Sequence, residues 1–213
     1  MKTEAKMILE ELTTRYPMLC EHRKDIENAF DVLKTCFKKG RTLYLCGNGG
    51  SASDCEHIAG ELLKSFKKCR PIDEKFLKKF DVYGEKGEAL KKGLEGGLPA
   101  VSLCGHVAYS TAYANDKDPM FVFAQQVNAW GKDGDVLLTI STSGNSQNCL
   151  YAAMVAKAKG MKVIGLLGNT GGALKEIADA CVIAPEKETF KVQELHLPIY
   201  HCLCAMLETE FFG

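Results

Sequence analysis

The chain is predicted to be an α/β protein: one doubly wound parallel sheet of about five strands flanked by helices, with helices at the N-terminus and one long helix at the C-terminus. Three observations predict it. Short apolar runs at 43–46, 99–104, 135–141, 162–167 and 180–184 alternate with stretches of helical character. Those runs are mostly apolar, as strands buried on both faces of a parallel sheet are, and show no regular alternation with polar residues. Two of them end in loops of glycine and hydroxyl residues that open a helix, Gly47-Asn-Gly-Gly-Ser51 and Ser141-Thr-Ser-Gly-Asn-Ser146.

Residues 3–38 read as helical, with Pro17 separating a short first helix from a longer one over about 18–38. Ile26, Phe30, Leu33 and Phe37 recur at the three-to-four spacing of an amphipathic face, and Gly40 ends the segment. Such a leading pair outside the strand–helix alternation suits packing between subunits. After the first loop a helix is expected to run through Leu63. Residues 70–97 are charged, glycine-punctuated and poor in large apolar side chains. They are expected to be an insertion with one or two short helices, or a mobile lid, and more simply a solvated excursion without chemistry. The alternation then resumes: a strand over 99–104, helical pieces at 107–114 and 119–130, and a strand over 135–141. A helix follows to about Lys159, then a strand over 162–167, a short helix at 173–177 and a last strand over 180–184. A long helix from about Lys191 to Glu210 closes the chain.

At 213 residues the chain fits a single domain over 1–213, with a helical segment at 1–40 and the insertion at 70–97. Its 27 basic residues balance 27 acidic ones, without the basic excess of a nucleic-acid binder. No apolar stretch reaches the roughly 18 residues of a membrane span, and the N-terminus lacks the apolar segment of a signal peptide. Ten cysteines without a regular framework or a Cys-x-x-Cys pair read as small buried hydrophobes in a reducing cytosol. The expectation is a cytoplasmic protein with neither nucleic-acid nor membrane partners.

The two loops carry the chemistry. Gly47, Gly49 and Gly50 let backbone N–H groups approach an anion closely, and Ser51 stands where a helix N-cap would be. His57 and Glu61, four apart, share one helical face. The hydroxyls of Ser141, Thr142, Ser143 and Ser146 add donors at a place where ligands collect in doubly wound sheets. Together these suit a phosphosugar; each alone is also what an ordinary strand-to-helix turn and a solvated His–Glu pair would look like. The lysine of a P-loop is missing, which argues against a nucleoside triphosphate. Gly47-Asn-Gly49-Gly-Ser-Ala52 formally fits a dinucleotide fingerprint, but the acid expected about 20 residues on is replaced by Phe66-Lys-Lys-Cys-Arg70.

These residues resemble the sugar isomerase (SIS) family, and within it the phosphoheptose isomerase branch. The matching pieces are Cys46-Gly-Asn-Gly-Gly-Ser51, His57-x-x-x-Glu61, Asn115-Asp116, Asp133-x-Asp-Val-Leu-Leu-x-Ile-Ser-Thr-Ser-Gly-Asn-Ser146, Gly160-Met-Lys-Val-Ile164 and Gln193-Glu-x-His196-x-x-x-x-His201. They fall in the family's order and cover most of the chain outside 1–40 and 70–97. The resemblance implies a flavodoxin-like sheet and conversion of sedoheptulose 7-phosphate to a heptose 7-phosphate, the start of nucleotide-heptose synthesis. It also implies a homotetramer with active sites between subunits, and one zinc ion per site on His57, Glu61, Gln193 and His201. Carried over residue by residue, it puts phosphate on Ser51, Ser141, Thr142, Ser143 and Ser146, with Gly49 and Gly50 in the cradle. Sugar hydroxyls fall near Asn48, Asn115, Asp116 and Gln193. The chain departs from the branch in the 70–97 insertion, in Phe190 where relatives often carry a polar residue, and in Gly105-His-Val-Ala-Tyr-Ser110.

An aldose–ketose isomerisation through an enediol needs a base for the C1/C2 proton and a second acid/base at the oxygens. Glu61 is the candidate for the first and His201 for the second, with a metal available to polarise the carbonyl. His, Glu, Gln and His are nitrogen and oxygen donors acceptable to zinc. Gln193 and His201 stand eight apart, about 12 Å along a regular helix, so sharing one ion requires a frayed helix start or two fully extended side chains. His196 is nearer in spacing but is expected to be a satisfied histidine in an interface. His106 and His22 are expected at the surface, Trp130 in packing and Glu194 in a salt bridge. Two other functions compete with the favoured isomerase: a non-catalytic sugar-phosphate-binding regulator, and an isomerase of a hexose or pentose phosphate. Retention of Glu61, Gln193 and His201 argues against the regulator.

Overall fold

A computed structural model describes residues 1–213. Its elements run α1 (Thr3–Arg15), a 3-10 turn (Pro17–His22), α2 (Arg23–Lys38), β1 (Leu43–Gly47), α3 (Gly50–Leu63), α4 (Glu74–Leu77), a 3-10 turn (Lys78–Tyr83) and α5 (Glu85–Gly93). They continue as β2 (Ala100–Ser102), α6 (Val107–Asp116), α7 (Val122–Trp130), β3 (Val136–Ser141), α8 (Gln147–Ala158), β4 (Lys162–Gly168), α9 (Gly172–Ile177), β5 (Ala180–Ala184) and α10 (Thr189–Phe212). The five strands pair in parallel in the order β2-β1-β3-β4-β5, the doubly wound arrangement that the apolar runs predict. That order reverses direction between β1 and β3, the switch point beside which loops gather at the carboxyl edge.

Alternate residues of each strand feed two cores. Leu43, Leu45, Val136, Leu138, Ile140, Ile164 and Leu166 pack with α1, α2, α3 and α10; Tyr44, Cys46, Leu137, Val163 and Leu167 pack with α7, α8 and α9. Ile26, Phe30, Leu33 and Phe37 of α2 are buried in the first core, as their spacing predicts. Each of these side chains contributes about 1.5–3 kcal/mol of burial. No helix is long and apolar enough to cross a membrane.

Several local expectations are corrected. The second helix begins at Arg23, because Pro17 initiates a 3-10 turn that occupies 17–22. Ser51 is not a cap: Gly49, at φ 57°, takes the N-cap position without a side-chain bond, and Ser51 lies in the first turn, 4% exposed. The 70–97 stretch holds two short helices with a 3-10 turn between them, and it is not wholly a solvated excursion. At its root Arg70 is 2% exposed and ion-paired to Glu208 at 2.8 Å. Arg70 also donates to the Leu62 and Glu61 carbonyls at 2.7 and 2.8 Å, capping the open end of α3. The other end of the insertion is tied down by the Gly96 N–H on the Arg70 carbonyl and the Leu98 N–H on the Leu62 carbonyl. His196 is fully buried within the chain, donating from Nε2 to the Leu167 carbonyl of β4 at 2.9 Å, where an interface was expected.

Candidate active site

Helices α3 and α10 lie side by side, and the site runs along their shared seam. A Cβ on Gly50 would stand 2.6 Å from Gln193 Nε2, while His57 and His201 bring their ring centres to 4.9 Å. Seven residues separate the first pair of positions on α3 and eight on α10. The two helices therefore run parallel, and the seam is about 10–12 Å long at 1.5 Å per residue.

Two loops of glycine and hydroxyl residues form a cradle at one end. In the first loop the N–H groups of Ser51 and Ala52 turn back onto the Asn48 and Gly49 carbonyls, while those of Gly49 and Gly50 find no internal acceptor. The second loop lies against it because β1 pairs β3 with Gly47 opposite Ile140. Ser141 Oγ and Ser146 Oγ stand 2.9 Å apart, and Ser143 Oγ accepts the Asn145 N–H at 3.2 Å. Gly144 holds this loop at φ 68°, where a Cβ would strike the Gly171 carbonyl at 1.9 Å. Unpaired N–H groups and hydroxyls at the starts of two helices hold an anion. A reciprocal amide pair, Asn48 and Asn148 at 2.9 and 2.8 Å, locks the loops together. Sequence reasoning passed over Asn148, in the first turn of α8.

A His–Glu–His group occupies the other end. His57 Nε2 faces Glu61 Oε1 at 3.4 Å, and Lys64 Nζ stands 3.6 Å from Oε2. Glu61 Oε2 and His201 Nε2 are buried atoms without a hydrogen-bond partner. Burial, helped by neighbouring His57, depresses the His201 imidazole below its usual range, and Glu61 opposes this. Phe66 lies over His201 with ring centres 5.6 Å apart. It is fixed there by Glu208, whose carboxylate accepts the Phe66 and Lys67 N–H groups at 2.8 Å. His57 Nδ1 meets the Tyr200 hydroxyl at 2.9 Å, and that hydroxyl donates to Asp54 Oδ1 at 3.3 Å. Neither Tyr200 nor Asp54 stood out in the sequence, although Asp54 sits three residues before His57 on the same helical face.

Of the expected site residues, Ser141 and Ser146 touch each other in the second loop, which also holds Thr142 and Ser143. The first loop, with Asn48, Gly49, Gly50 and Ser51, is tied to the start of α8 through Asn48 and Asn148. His57, Glu61 and His201 gather at the far end. Gln193 packs against Gly50, at the cradle end of the seam. Asn115 and Asp116 are exposed at the end of α6, bonded to each other at 2.9 Å and to neither loop. No three His, Cys, Asp or Glu side chains converge in a ready-made metal cluster. The donor set nevertheless suits a cation. With the Tyr200 proton on Asp54, His57 donates from Nδ1, so its Nε2 lone pair confronts the Glu61 carboxylate, with two more donor atoms nearby unpaired.

Among characterised proteins, the family model described as SIS domain matches residues 9–91 and 96–168. The phosphoheptose isomerase of a Nitratiruptor species is 37% identical over 204 residues, covering 91% of this chain and 96% of that protein. The phosphoheptose isomerase of Clostridium acetobutylicum is 36% identical over 193 residues, covering 91% of this chain and 86% of that one. The solved structure of the Neisseria gonorrhoeae phosphoheptose isomerase aligns with a TM-score of 0.71 and 29% identity, over 97% of this chain and 94% of that one.

Proposed function

Because the chain belongs to the SIS domain family, we propose that it is a phosphoheptose isomerase, interconverting sedoheptulose 7-phosphate and D-glycero-D-manno-heptose 7-phosphate through an enediol. The observation that carries this reading is the seam between α3 and α10, with an anion cradle at one end and Glu61, His57 and His201 at the other. Eight bonds separate C1 from phosphorus in an open-chain heptose 7-phosphate, roughly 10 Å at ~1.2 Å per bond of extended chain. That matches the length of the seam, about 10–12 Å by the helical rise.

In this reading the phosphate sits on Ser51, Ser141, Thr142, Ser143, Ser146 and the Gly49 and Gly50 N–H groups. Asn48 and Gln193 serve the sugar hydroxyls; Asn115 and Asp116, exposed at the end of α6 and bonded only to each other, have no part along this seam. Glu61 moves the proton between C1 and C2, its Oε2 having no competing hydrogen bond. His201, whose imidazole burial pushes toward its neutral form, exchanges a proton with the substrate oxygens. His57, Glu61 and His201 would hold one zinc ion, with Glu61 and His201 dividing their two donor atoms between the roles; Gln193, expected as a fourth ligand, lies at the cradle end of the seam, about 12 Å along α10 from His201. Bound there, zinc would supply Lewis-acid polarisation of the carbonyl. A homotetramer with sites shared between subunits, in a reducing cytoplasm, completes the proposal; all ten cysteines are free.

The test is incubation with sedoheptulose 7-phosphate in deuterated water, with and without zinc, followed by NMR. Deuterium at C2 of a new aldose phosphate is expected. A folded protein that exchanges nothing under either condition would sink the assignment. Glu61→Gln should lower kcat by about 10²–10⁴-fold while folding is retained.

A further inference from the structure

We propose that Tyr200, backed by Asp54, is a positioning residue that fixes the tautomer and orientation of His57. The inference rests on the reading of His57 as a metal ligand at the isomerase site and adds residues to it. Tyr200 has one proton and two polar neighbours. Asp54 Oδ1 lies 3.3 Å from its hydroxyl and, as a carboxylate, can only accept. The Tyr200 proton therefore points to Asp54, and the hydroxyl oxygen accepts from His57 Nδ1 at 2.9 Å. That places the imidazole proton on Nδ1 and leaves Nε2 as a lone pair directed at Glu61 Oε1, 3.4 Å away. A lone pair beside a carboxylate oxygen is an arrangement that wants a cation between them.

The relay is built to hold its geometry. Tyr200 is 1% exposed on α10, in the residue next to His201, and its ring packs edge-on to both imidazoles, with centres 5.5 Å from His57 and 4.9 Å from His201. Asp54 and His57 sit one turn apart on α3, so a single hydroxyl from α10 ties both to the opposite helix. Without it, the half-exposed His57 ring would rotate freely and exchange its proton between nitrogens. Outer hydrogen bonds of this kind set ligand orientation, and their loss costs about 10–100-fold in metal affinity or activity.

The experiment compares the wild type with Tyr200→Phe, which keeps the ring and removes the hydroxyl, and with Asp54→Asn, which leaves Tyr200 in place. Zinc affinity is read by chelator competition, the His57 tautomer by ¹⁵N–¹H long-range NMR on zinc-free protein, and kcat and KM separately. Tyr200→Phe is expected to weaken zinc binding about 10–100-fold and to convert a single Nδ1–H tautomer at His57 to a mixture. It should lower kcat by a similar factor with little change in KM, since the phosphate end is untouched. Asp54→Asn should move all three readouts in the same direction by less. Wild-type zinc affinity and an unaltered His57 tautomer in a folded Tyr200→Phe protein, or in Asp54→Asn should Tyr200→Phe not fold, would overturn the relay. The tautomer signal needs neither zinc nor turnover, so a protein inactive on the heptose phosphate would still decide for or against Tyr200.

Discussion

Cys104 has surroundings that favour its thiolate: a hydrogen bond from Cys55 outweighs burial and brings the thiol down to about 7. Its Sγ lies 3.4 Å from the Gly47 carbonyl, at the root of the first loop. The thiolate is the nucleophile, so alkylation at Cys104 should reach half its maximal rate near pH 7, against ~8.5 for an ordinary cysteine. Rate profiles with iodoacetamide, read by mass spectrometry, check this; Cys104→Ser should remove the fast phase. Ser143 supports a second prediction at this scale. Its exposed hydroxyl serves only Asn145 within the chain, so Ser143→Ala should raise KM for the heptose phosphate about fivefold, the worth of one hydroxyl bond of ~1 kcal/mol. An unaltered KM would move the phosphate elsewhere. The two loops themselves were legible because glycines and hydroxyls between a strand and a helix are local signals. Asn148, Tyr200 and Asp54 were not, because their roles depend on partners 100 or more residues away.

At the level of elements, the join between α3, the insertion and α10 depends on one buried ion pair. Glu208 is driven up by burial, but the Phe66 and Lys67 N–H groups and Arg70 outweigh this and hold it below the ordinary carboxylate range. The same pair caps α3 and seats Phe66 over His201. Removing one partner strands a buried charge, so Glu208→Gln should cost about 3–5 kcal/mol, read as a lower urea midpoint at unchanged slope. A midpoint within error of the wild type would show that the join carries no such weight. Sequence marked 70–97 as charged and glycine-rich and so as solvated. Arg70 looked like its first charge, and only the fold, by bringing α10 alongside, turns it into a buried cap. The strands and long helices were legible because their apolar periodicity is continuous. Helix starts at Arg23 and Gly50 were not, because a 3-10 turn and a glycine N-cap leave no periodic trace.

The whole molecule is a sheet whose two faces are filled by separate cores, and the order of its strands follows from local patterns. What the patterns do not show is how α10 is pinned across the sheet. His196, in the first half of α10, does this by donating Nε2–H to the Leu167 carbonyl of β4, while its Nδ1 stays buried and unpartnered. Burial lowers its imidazole to about 4, the bond to Leu167 opposing only in part. The unfolded chain binds a proton there near the ordinary value of about 6.5, so between these values the unfolded state holds more protons and stability rises with pH. The stability this group confers is complete above about pH 6.5 and is lost as pH falls toward 4, on the order of 3 kcal/mol in all. His196→Gln keeps a donor for Leu167 without a titrating ring. The difference in unfolding free energy between about pH 7.5 and pH 5 should therefore shrink by roughly 2 kcal/mol in that variant. Equal pH dependence in the two proteins would mean that His196 takes up its proton as readily in the native state as in the unfolded chain, and that the α10–β4 contact is not what limits stability in acid.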